Sequence, residues 1–355
     1  MHPLVLDLFG DADTRALAEG YRQAEGRFGL GLTGGILRDL GDLALHASDD
    51  PVGIVLGSGF EAAPGLMRAI AARFTLLGAS PDCVGLLKDP LAFAELCRAH
   101  GVPHPAVTRE PVADRTAWLL KRAGGSGGTH IRAATGGRAP LGAYFQARVP
   151  GRAVSLSFLA DGAAIRVVGV TEQWGAPSPL RPFRYAGALE RARHEPPCLA
   201  PPMLAAVTEG VARLAAATAL RGLASADCLV DGPDWWLTEI NPRPGATLDV
   251  LDRRPTPLLA RHIAASLGHL SEPEASPEDA AATEICYAAS GYAPMPPIDW
   301  PDFVRDRPKP GTTVARDAPL CTLFATGPDS AATRAMLRGR AAELRTLPAL
   351  TEGHP

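Results

Sequence analysis

Short apolar runs alternate with helical patterns over the first part of the chain. Apolar residues dominate segments 4–8 and 52–56, which predicts two buried strands. Apolar positions three and four apart in segments 13–23 and 64–73 predict amphipathic helices. Because strands alternate with helices, we expect an N-terminal α/β domain over residues 1–85, built on a parallel sheet.

Strand patterns dominate the central part of the chain, residues 86–270. A helical pattern at 90–100 opens this segment, and an Ala-rich helix is predicted at 203–220. The predicted strands lie at residues 117–122, 142–149, 153–160 and 164–171. Residues 172–202 are rich in Pro, Gly and Arg, which predicts a long ordered loop, and such loops are often functional.

The last part of the chain, residues 271–355, begins with a polar linker rich in Glu, Pro and Ser at 271–277. Apolar runs predict strands at 283–289 and 320–325, and an amphipathic pattern predicts a helix at 330–344. We expect a small C-terminal α+β domain that caps the central one.

A β-hairpin with chemistry-bearing residues follows the Ala-rich helix. Two apolar runs, 228–230 and 235–237, flank a turn signal formed by Asp, Gly, Pro and Asp. Glu239, Asn241 and Arg243 alternate after the second run, so their side chains share one face of an extended chain. We expect Asp227, at the start of the first strand, to lie opposite them. A single acid at a strand end is usually only solvated, but oxygen ligands in this combination suit Mg²⁺.

A glycine-rich loop lies about a hundred residues before the hairpin. The predicted strand at 117–122 delivers Lys121, and four glycines follow within residues 124–128. Free backbone N–H groups in such a loop can cradle a polyphosphate. A flexible surface turn is the more frequent explanation of such a loop alone, and the preceding lysine and the acidic hairpin favour the phosphate site. The order differs from the G-x-x-x-x-G-K-[ST] loop, where lysine follows the glycines.

The hairpin resembles the metal-binding hairpin of the ATP-grasp superfamily, whose members join a carboxylate to an amine through an acyl phosphate. This resemblance extends from Lys88 to Thr247 and implies an ATP-grasp fold with ATP and Mg²⁺ as cofactors. It implies that Arg243 stabilises charge on the transferring phosphate. The resemblance also implies that the Mg²⁺ ligands are Asp227, Glu239 and Asn241, and that the phosphates contact Lys88, Lys121, Gly125, Ser126, Gly127 and Gly128.

Residues 144–155 resemble the hinge that clamps adenine in this superfamily. By this resemblance Gln146, Arg148 and Val149 would lie against the nucleotide. Two glutamates that the superfamily commonly places here, for adenine and for a ribose hydroxyl, are replaced by Ala147 and Ala153. We therefore expect Gln146 and main-chain groups to carry base recognition, and adenine choice is left open.

The expected activity is an ATP-dependent carboxylate–amine ligase. The candidate substrate residues are Ser58 and Glu61, in a loop after the strand at 52–56, where ligands of parallel sheets bind. A capping role for Glu61 ahead of the next helix is an equal alternative. Two rivals stay open: a carboxylase or phosphotransferase with the same nucleotide site, and a nucleotide sensor without turnover.

A narrower resemblance concerns a branch found near one-carbon genes linked to methanopterin and methanofuran. That branch includes a ligase joining L-glutamate to an aromatic amine, which implies a role in one-carbon metabolism. The segments that resemble this branch are 57–61, 172–173, 182–187 and 307–312.

Composition narrows the class of protein. The chain has 355 residues, of which 46% are hydrophobic and 21% charged, with a net charge of −3. No basic stripe is present, so nucleic acid is not expected as a partner. No apolar run approaches the roughly 20 residues of a membrane helix, and no signal peptide is evident.

Six widely spaced cysteines favour buried thiols in a reducing cytoplasm. Small carboxylates and amines are the expected partners, and homo-oligomerisation is left open.

Overall fold

The N-terminal part contains a parallel strand pair, as the alternating pattern predicts. The structure, a computed structural model, describes residues 53–347 and 350 together with the strand at residues 4–6. Strands β1 (Leu4–Leu6) and β2 (Ile54–Leu56) pair in parallel. Leu76 forms a further parallel bridge to Ile54. The predicted helix at 13–23 lies outside the described residues.

The helices and strands follow the predicted order over most of the described chain. The helices are α1 (Pro64–Ala71), α2 (Pro81–Lys88), α3 (Pro90–Ala99), α4 (Pro201–Ala217), α5 (Leu248–Leu251), α6 (Leu258–Ser266) and α7 (Ser330–Leu344). The remaining strands are β3 (Val107–Thr108), β4 (Trp118–Arg122), β5 (Arg132–Ala133), β6 (Ala143–Ala147), β7 (Arg152–Asp161), β8 (Ile165–Gly175), β9 (Tyr185–Glu190), β10 (Arg221–Asp231), β11 (Asp234–Asn241), β12 (Ala280–Tyr287), β13 (Val304–Arg305) and β14 (Pro319–Gly327).

Two antiparallel sheets organise the central and C-terminal parts. The larger sheet has the strand order β11-β10-β7-β8-β9-β12-β14-β13, and the smaller one has the order β3-β6-β4-β5. The C-terminal segment has the expected strands and helix, and its strands extend the larger sheet along the edge of β9. The fold class is therefore the expected combination of α/β and α+β parts, while the division at 1–85, 86–270 and 271–355 stays a prediction.

The largest core cluster lies behind the larger sheet. Val154, Leu156 and Phe158 alternate along β7 and are at most 1% exposed. They pack in one cluster with α4, whose Val207 and Leu214 are completely buried. Burying such a side chain contributes about 1.5–3 kcal/mol to the free energy of unfolding, so the contacts between β7 and α4 stabilise the sheet beneath the site.

The prediction of a long loop over residues 172–202 is wrong. Strand β8 continues to Gly175, and β9 occupies Tyr185–Glu190 in the middle of the segment. Strand β9 lies between β8 and β12, and its residues from Ala186 onward are buried. A central strand that packs on both faces has no polar alternation, so its Ala and Gly residues hide the strand signal. The irregular stretch is limited to the residues on either side of β9.

Within the described residues, no helix is long and apolar enough to cross a membrane.

Candidate active site

A cleft of about 490 Å³ opens between the two sheets. The smaller sheet contributes β4, β6 and the glycine-rich loop after β4, and the larger sheet contributes the β10–β11 hairpin. Most of the predicted site residues line this cleft: Lys88, Lys121, Gly125, Ser126, Gly127, Gly128, Gln146, Arg148, Val149, Asp227, Glu239, Asn241 and Arg243. The structure thus brings together residues that lie up to 155 positions apart in the sequence, which is the separation of Lys88 and Arg243.

The hairpin has the expected geometry and a bulge that the sequence does not reveal. Asp227 pairs directly with Glu239 across β10 and β11, and the next pair is Cys228 with Leu237. Thr238 is therefore the extra residue, and its hydroxyl donates to the carbonyl of Asp227 at 2.8 Å. Bulges of this kind re-aim side chains near active sites, and here both Thr238 and Glu239 line the cleft.

Three oxygen-bearing side chains converge at the hairpin. The amide nitrogen of Asn241 donates to Asp227 Oδ2 at 2.9 Å and to Glu239 Oε1 at 3.4 Å. Ser155, on the neighbouring strand β7, donates to Asp227 Oδ1 at 2.6 Å and fixes the carboxylate. The side chain of Glu239 is 39% exposed, so its carboxylate is accessible from the cleft.

Opposing charges shape the ionisation of the two acids. Burial and the neighbouring Glu239 raise the pKa of the Asp227 carboxyl. Burial also opposes ionisation of Glu239, but the ammonium groups of Lys88 and Lys121 lower its pKa below the ordinary value. Two adjoining carboxylates repel each other, and a cation placed between them relieves this repulsion.

The donor set fits a divalent cation. Lys88 Nζ donates to Asn241 Oδ1 at 2.6 Å and to Glu239 Oε2 at 3.4 Å, so a positive charge already lies against these oxygens. Carboxylate and amide oxygens are the ligands that Mg²⁺ prefers. Among the described residues, no three His, Cys, Asp or Glu side chains are grouped as metal ligands, so such a site would depend on the amide oxygen of Asn241.

Lys88 reaches the site from a tight junction between two helices. It is the last residue of α2, and Asp89 caps α3 by accepting hydrogen bonds from two backbone N–H groups of the first turn. Pro90 follows at the first helical position, where its missing N–H has no partner to lose. The side chain of Lys88 is only 10% exposed, so the junction directs its ammonium inward to the hairpin.

Lys121 is the next-to-last residue of β4. Burial lowers its pKa, and the nearby carboxylates Glu239 and Asp227 act in the opposite direction. Lys121 pairs with Tyr144 across β4 and β6, which places the lysine beside the predicted hinge. Two lysines from different elements thus face the same pair of carboxylates.

The glycine-rich loop packs tightly against two other parts of the chain. It joins β4 to β5, an antiparallel pair, as the resemblance implies. A Cβ on Gly128 would lie 1.8 Å from the carbonyl oxygen of Phe183, and one on Gly124 would lie 3.1 Å from Ala62. Both glycines have positive φ, at +67° and +69°, a conformation that disfavours other residues. The loop therefore lies closed against the β8–β9 segment and the N-terminal part.

The predicted hinge forms the opposite wall of the cleft. Gln146 lies on β6, is 3% exposed and faces the cleft, with Arg148 and Val149 just beyond the strand. Ala147 and Ala153 also line the cleft, at the positions where the superfamily commonly has glutamates. The acids in the described lining are Asp227 and Glu239 of the hairpin, and none lies on the hinge, so base recognition by Gln146 and the backbone stays a prediction.

Glu61 contacts Arg243 rather than open space. Its Oε1 accepts a hydrogen bond from Arg243 Nε, and its Oε2 accepts one from Gly59 N at 2.8 Å. Burial raises the pKa of Glu61, but the positive charges of Arg243 and Lys88 lower it by more, so the pKa lies below its ordinary value. Glu61 lies in a short 3₁₀ helix ahead of α1 and lines a smaller neighbouring cavity. Ser58 is half-buried and does not line the main cleft.

Sequence reasoning missed His130 and Tyr185. His130 lies beneath the glycine-rich loop, with Nδ1 3.4 Å from the carbonyl oxygen of Ser126, and its pKa is lowered by burial. Tyr185 opens β9, within the segment predicted as a loop, and lines the cleft. His130 belongs to no motif, and Tyr185 lies in segment 182–187, whose resemblance to the one-carbon branch gives no sign that this tyrosine lines the cleft; only the packing of the loop against distant strands reveals both.

Comparison with known proteins identifies the architecture. A family model described as the ATP-grasp domain matches residues 88–247. No curated protein matches the chain. The biotin carboxylase domain of 2-oxoglutarate carboxylase from Hydrogenobacter thermophilus is similar in structure, with a TM-score of 0.70 and 14% identity, covering 97% of this chain and 84% of that one. That protein was solved with Mg–ADP, ADP and bicarbonate.

Two enzymes of other classes are also similar. An L-amino acid ligase from Bacillus licheniformis has a TM-score of 0.71 and 13% identity, covering 97% of this chain and 98% of that one. The N5-carboxyaminoimidazole synthetase from Staphylococcus aureus, complexed with ADP, has a TM-score of 0.64 and 12% identity, covering 95% and 90%. Identities this low establish the fold alone. The chain contains an ATP-grasp domain and has the ATP-grasp fold.

Proposed function

We propose that the protein is an ATP-dependent carboxylate–amine ligase that uses Mg²⁺ and forms an amide through an acyl phosphate. The observation that carries the proposal is the convergence of Asp227, Glu239 and Asn241 with two lysines and Arg243 in one cleft. An ATP-grasp domain supplies the scaffold for this set. No side-chain nucleophile is required by this chemistry, because the substrate carboxylate itself attacks the phosphate.

The nucleotide would be held by groups from both sheets. Lys121 and Lys88 would neutralise phosphate charge, and the glycine-rich loop, through Ser126 and its backbone N–H groups, would cover the terminal phosphates. Gln146 and the hinge backbone beyond it would contact the base. Asp227, Glu239 and Asn241 would hold Mg²⁺, which would supply charge stabilisation at the phosphates.

Arg243 would act on the phosphoryl group in transfer. Its guanidinium is held by Glu61 and also donates to the carbonyl of Pro244 at 3.1 Å, so its position is set before substrate binds. A preorganised cation aimed at developing charge stabilises a transition state at little reorganisation cost. We therefore assign Glu61 a positioning role toward Arg243, in place of the expected contact with a substrate amine. Ser58 stays only a prediction as a substrate residue.

The finer part of the proposal concerns the substrates. The resemblance to the one-carbon branch supports L-glutamate as the carboxylate and an aromatic amine as the acceptor. Trp174, Phe183 and Tyr185 line the cleft near the loop, and they provide apolar surface for a ring. A cytoplasmic role in one-carbon metabolism follows from that resemblance and stays part of the proposal.

Two rival functions use the same nucleotide site. A carboxylase is favoured by the likeness to the biotin carboxylase domain, whose structure contains bicarbonate. A nucleotide sensor is favoured by the missing hinge glutamates at Ala147 and Ala153. The ion pair of Arg243 and Glu61 argues against the sensor, because a protein that binds ATP without turnover does not need a cation held in place for phosphoryl transfer.

The experiment is a screen of ADP release from Mg–ATP. Carboxylates, including the common L-amino acids, are tested singly, with amines and with bicarbonate, and products are identified by mass. A ligase releases ADP strongly only when a carboxylate and an amine are both present, and the product mass is their sum less water. The Glu239→Gln variant, folded by circular dichroism, serves as the metal-site control and should lose at least about a hundredfold in turnover. ADP release that depends on bicarbonate but on no amine identifies a carboxylase, and no stimulated release supports the sensor.

A further inference from the structure

The β8–β9 segment, residues 176–184 between the two strands, forms the wall on which the glycine-rich loop closes. The backbone of Gly128 lies against the carbonyl of Phe183, where an added Cβ would come within 1.8 Å of the oxygen. Phe183 also lines the cleft. Directly after the segment, the N–H of Tyr185 donates to the carbonyl oxygen of Gly127 at 2.9 Å. The position of this segment therefore decides where the loop can close.

The β8–β9 segment has no apolar anchor of its own. None of residues 176–184 is buried, and Leu180 is 70% exposed. A segment with few buried apolar contacts opens at a low cost in free energy unless other interactions hold it. Its position consequently depends on polar contacts with the rest of the chain.

Asp317, in the C-terminal segment, supplies these polar contacts. Its carboxylate accepts hydrogen bonds from the Ser178 hydroxyl at 2.9 Å and from the guanidinium of Arg184. Its backbone carbonyl accepts a third hydrogen bond from Arg181 Nη1 at 2.7 Å. The side chains of Arg184 and Asp317 are only 11% and 15% exposed, so water screens this ion pair less than it screens a surface pair.

The backbone around Asp317 is itself fixed to the C-terminal core. The N–H of Asp317 donates to the carbonyl of Ala288 at 2.8 Å, and the N–H of Ala288 donates to the carbonyl of Ala318 at 2.9 Å. Ala288 is 3% exposed and belongs to the C-terminal core cluster. Asp317 lies outside residues 88–247, so the anchor comes from a part of the chain beyond the matched ATP-grasp domain.

We propose that Asp317 is a positioning residue for the nucleotide: it holds the β8–β9 segment in place as the wall against which the glycine-rich loop closes over the phosphates. The inference rests on the proposed function and deepens it at the same site. A wall that is held before the nucleotide arrives lowers the ordering cost of binding. Asp317 therefore contributes to nucleotide affinity without touching the nucleotide.

The test compares Asp317→Asn with the wild type. Asparagine tolerates the left-handed backbone of this position, where φ is +66°, so the substitution removes the charge without straining the turn. Asp306→Asn is the matched control, because Asp306 also has a positive φ, +49°, and lies exposed in the same C-terminal segment. Calorimetry measures binding of Mg–AMPPNP, an ATP analogue that is not hydrolysed, and hydrogen exchange is followed without ligand.

Asp317→Asn should bind Mg–AMPPNP about tenfold more weakly than the wild type, the size of one hydrogen bond to a charged group. Hydrogen exchange should become faster over residues 176–185 and 124–128 and keep the wild-type rate in α7, whose core packing does not involve Asp317. A general loss of stability would speed exchange in α7 as well. Asp306→Asn should match the wild type in both measurements.

Arg184→Gln tests the same ion pair from the side of the β8–β9 segment, and it provides a second variant if Asp317→Asn does not fold. It should weaken Mg–AMPPNP binding by at least a similar factor. The double variant should bind far more tightly than the product of the two single effects predicts, because both substitutions remove one shared contact.

Four results would overturn the assignment. Wild-type affinity in either single variant would show that the ion pair does not support nucleotide binding. Exchange that rises in α7 as much as in residues 176–185, or two variants that do not fold, would show a general structural role instead. Fully multiplicative effects in the double variant would show that the two residues act separately. A wild type that does not bind Mg–AMPPNP would remove the proposed function as well, so failure of the inference alone is recognised by a wild type and variants that bind equally.

Discussion

Arg243 is the residue on which the distinction between a ligase and a sensor depends. Because Glu61 holds its guanidinium beside the hairpin, the arginine should act mainly on charge that develops during transfer. We expect Arg243→Ala to lower kcat by about a hundredfold or more while ATP affinity stays within a few-fold. Steady-state kinetics with a productive substrate pair and calorimetric ATP binding measure the two effects.

The control for this substitution is Arg138→Ala, which removes an arginine that is 70% exposed and paired with Glu110 on the surface. It should change neither kcat nor ATP affinity. If Arg243→Ala abolishes ATP binding itself, the arginine serves ground-state binding, and the sensor reading gains support.

His262 links the N-terminal part to the larger sheet as a neutral ring. Its Nδ1 accepts a hydrogen bond from Leu223 N at 2.7 Å, so Nε2 carries the proton and donates to the carbonyl of Leu77 at 2.9 Å. Protonation of Nδ1 would place a second N–H donor opposite the N–H of Leu223, and the hydrogen bond would be lost. Burial accordingly lowers the pKa of His262 to about 4.

This arrangement predicts a pH-dependent stability. The unfolded chain takes up a proton at His262 near pH 6.5, and the folded chain does so only near pH 4, so stability falls as pH drops between these values. The contribution should reach about 3 kcal/mol in all, at about 1.4 kcal/mol per pH unit. Urea unfolding at several pH values should show a smaller slope for His262→Gln, while His269→Gln, at an exposed position, keeps the wild-type slope. Equal slopes in all three proteins would contradict the prediction.

At the scale of elements, the glycine-rich loop offers a matched pair of substitutions. Gly127 and Gly128 have similar positive φ, at +61° and +67°, so alanine strains both positions by a comparable amount. Only at Gly128 would the new Cβ meet another group, the carbonyl oxygen of Phe183 at 1.8 Å; at Gly127 nothing lies within 4 Å. Comparing Gly127→Ala with Gly128→Ala therefore separates the effect of backbone strain from the effect of blocking loop closure.

We expect Gly128→Ala to weaken Mg–ATP binding at least about tenfold more than Gly127→Ala, because the loop must withdraw from the β8–β9 segment. Hydrogen exchange around Ser126 should slow on adding Mg–ATP in the wild type and in Gly127→Ala, and much less in Gly128→Ala. Equal affinities in the two variants would mean that closure against Phe183 does not support nucleotide binding.

The β10–β11 hairpin shows how far sequence reasoning reaches for a single element. The turn signal and the alternation of Glu239, Asn241 and Arg243 predict the hairpin and place Asp227 roughly opposite these residues; the exact register, Asp227 with Glu239, comes from the structure. The bulge at Thr238 has no sequence signal, since a bulge is decided by how the strand packs. Strand β9 was missed for a related reason: a short Ala- and Gly-containing strand is defined by its neighbours β8 and β12.

At the scale of the whole molecule, the site is assembled from contacts that local patterns cannot encode. Lys88 and Asn241 are hydrogen-bonded although 153 residues separate them. Resemblance to a known family, rather than periodicity, placed the two in one site. The pairing of Arg243 with Glu61 and the closing of the loop against Phe183 were beyond both approaches, because they depend on how the N-terminal part packs against the hairpin and the β8–β9 segment against the glycine-rich loop.

The larger sheet joins the C-terminal segment to the central part of the chain. Strand β12 pairs with β9, so the C-terminal segment completes the sheet that carries the hairpin. The cleft itself is lined by residues between Leu87 and Thr247, so a nucleotide and its substrates would be enclosed between the two sheets. Such enclosure excludes water from a reactive acyl phosphate, which is the property a ligase requires.

The most direct test of the ligase mechanism follows the oxygen atoms of the substrate carboxylate. When the carboxylate found in the ADP-release screen is labelled with ¹⁸O, attack on the γ-phosphate and displacement by the amine transfer one carboxylate oxygen to the phosphate. Mass spectrometry should therefore find one ¹⁸O in each phosphate released together with the amide. Phosphate without the label, or a label that stays wholly in a phosphorylated product, would contradict the carboxylate–amine ligase.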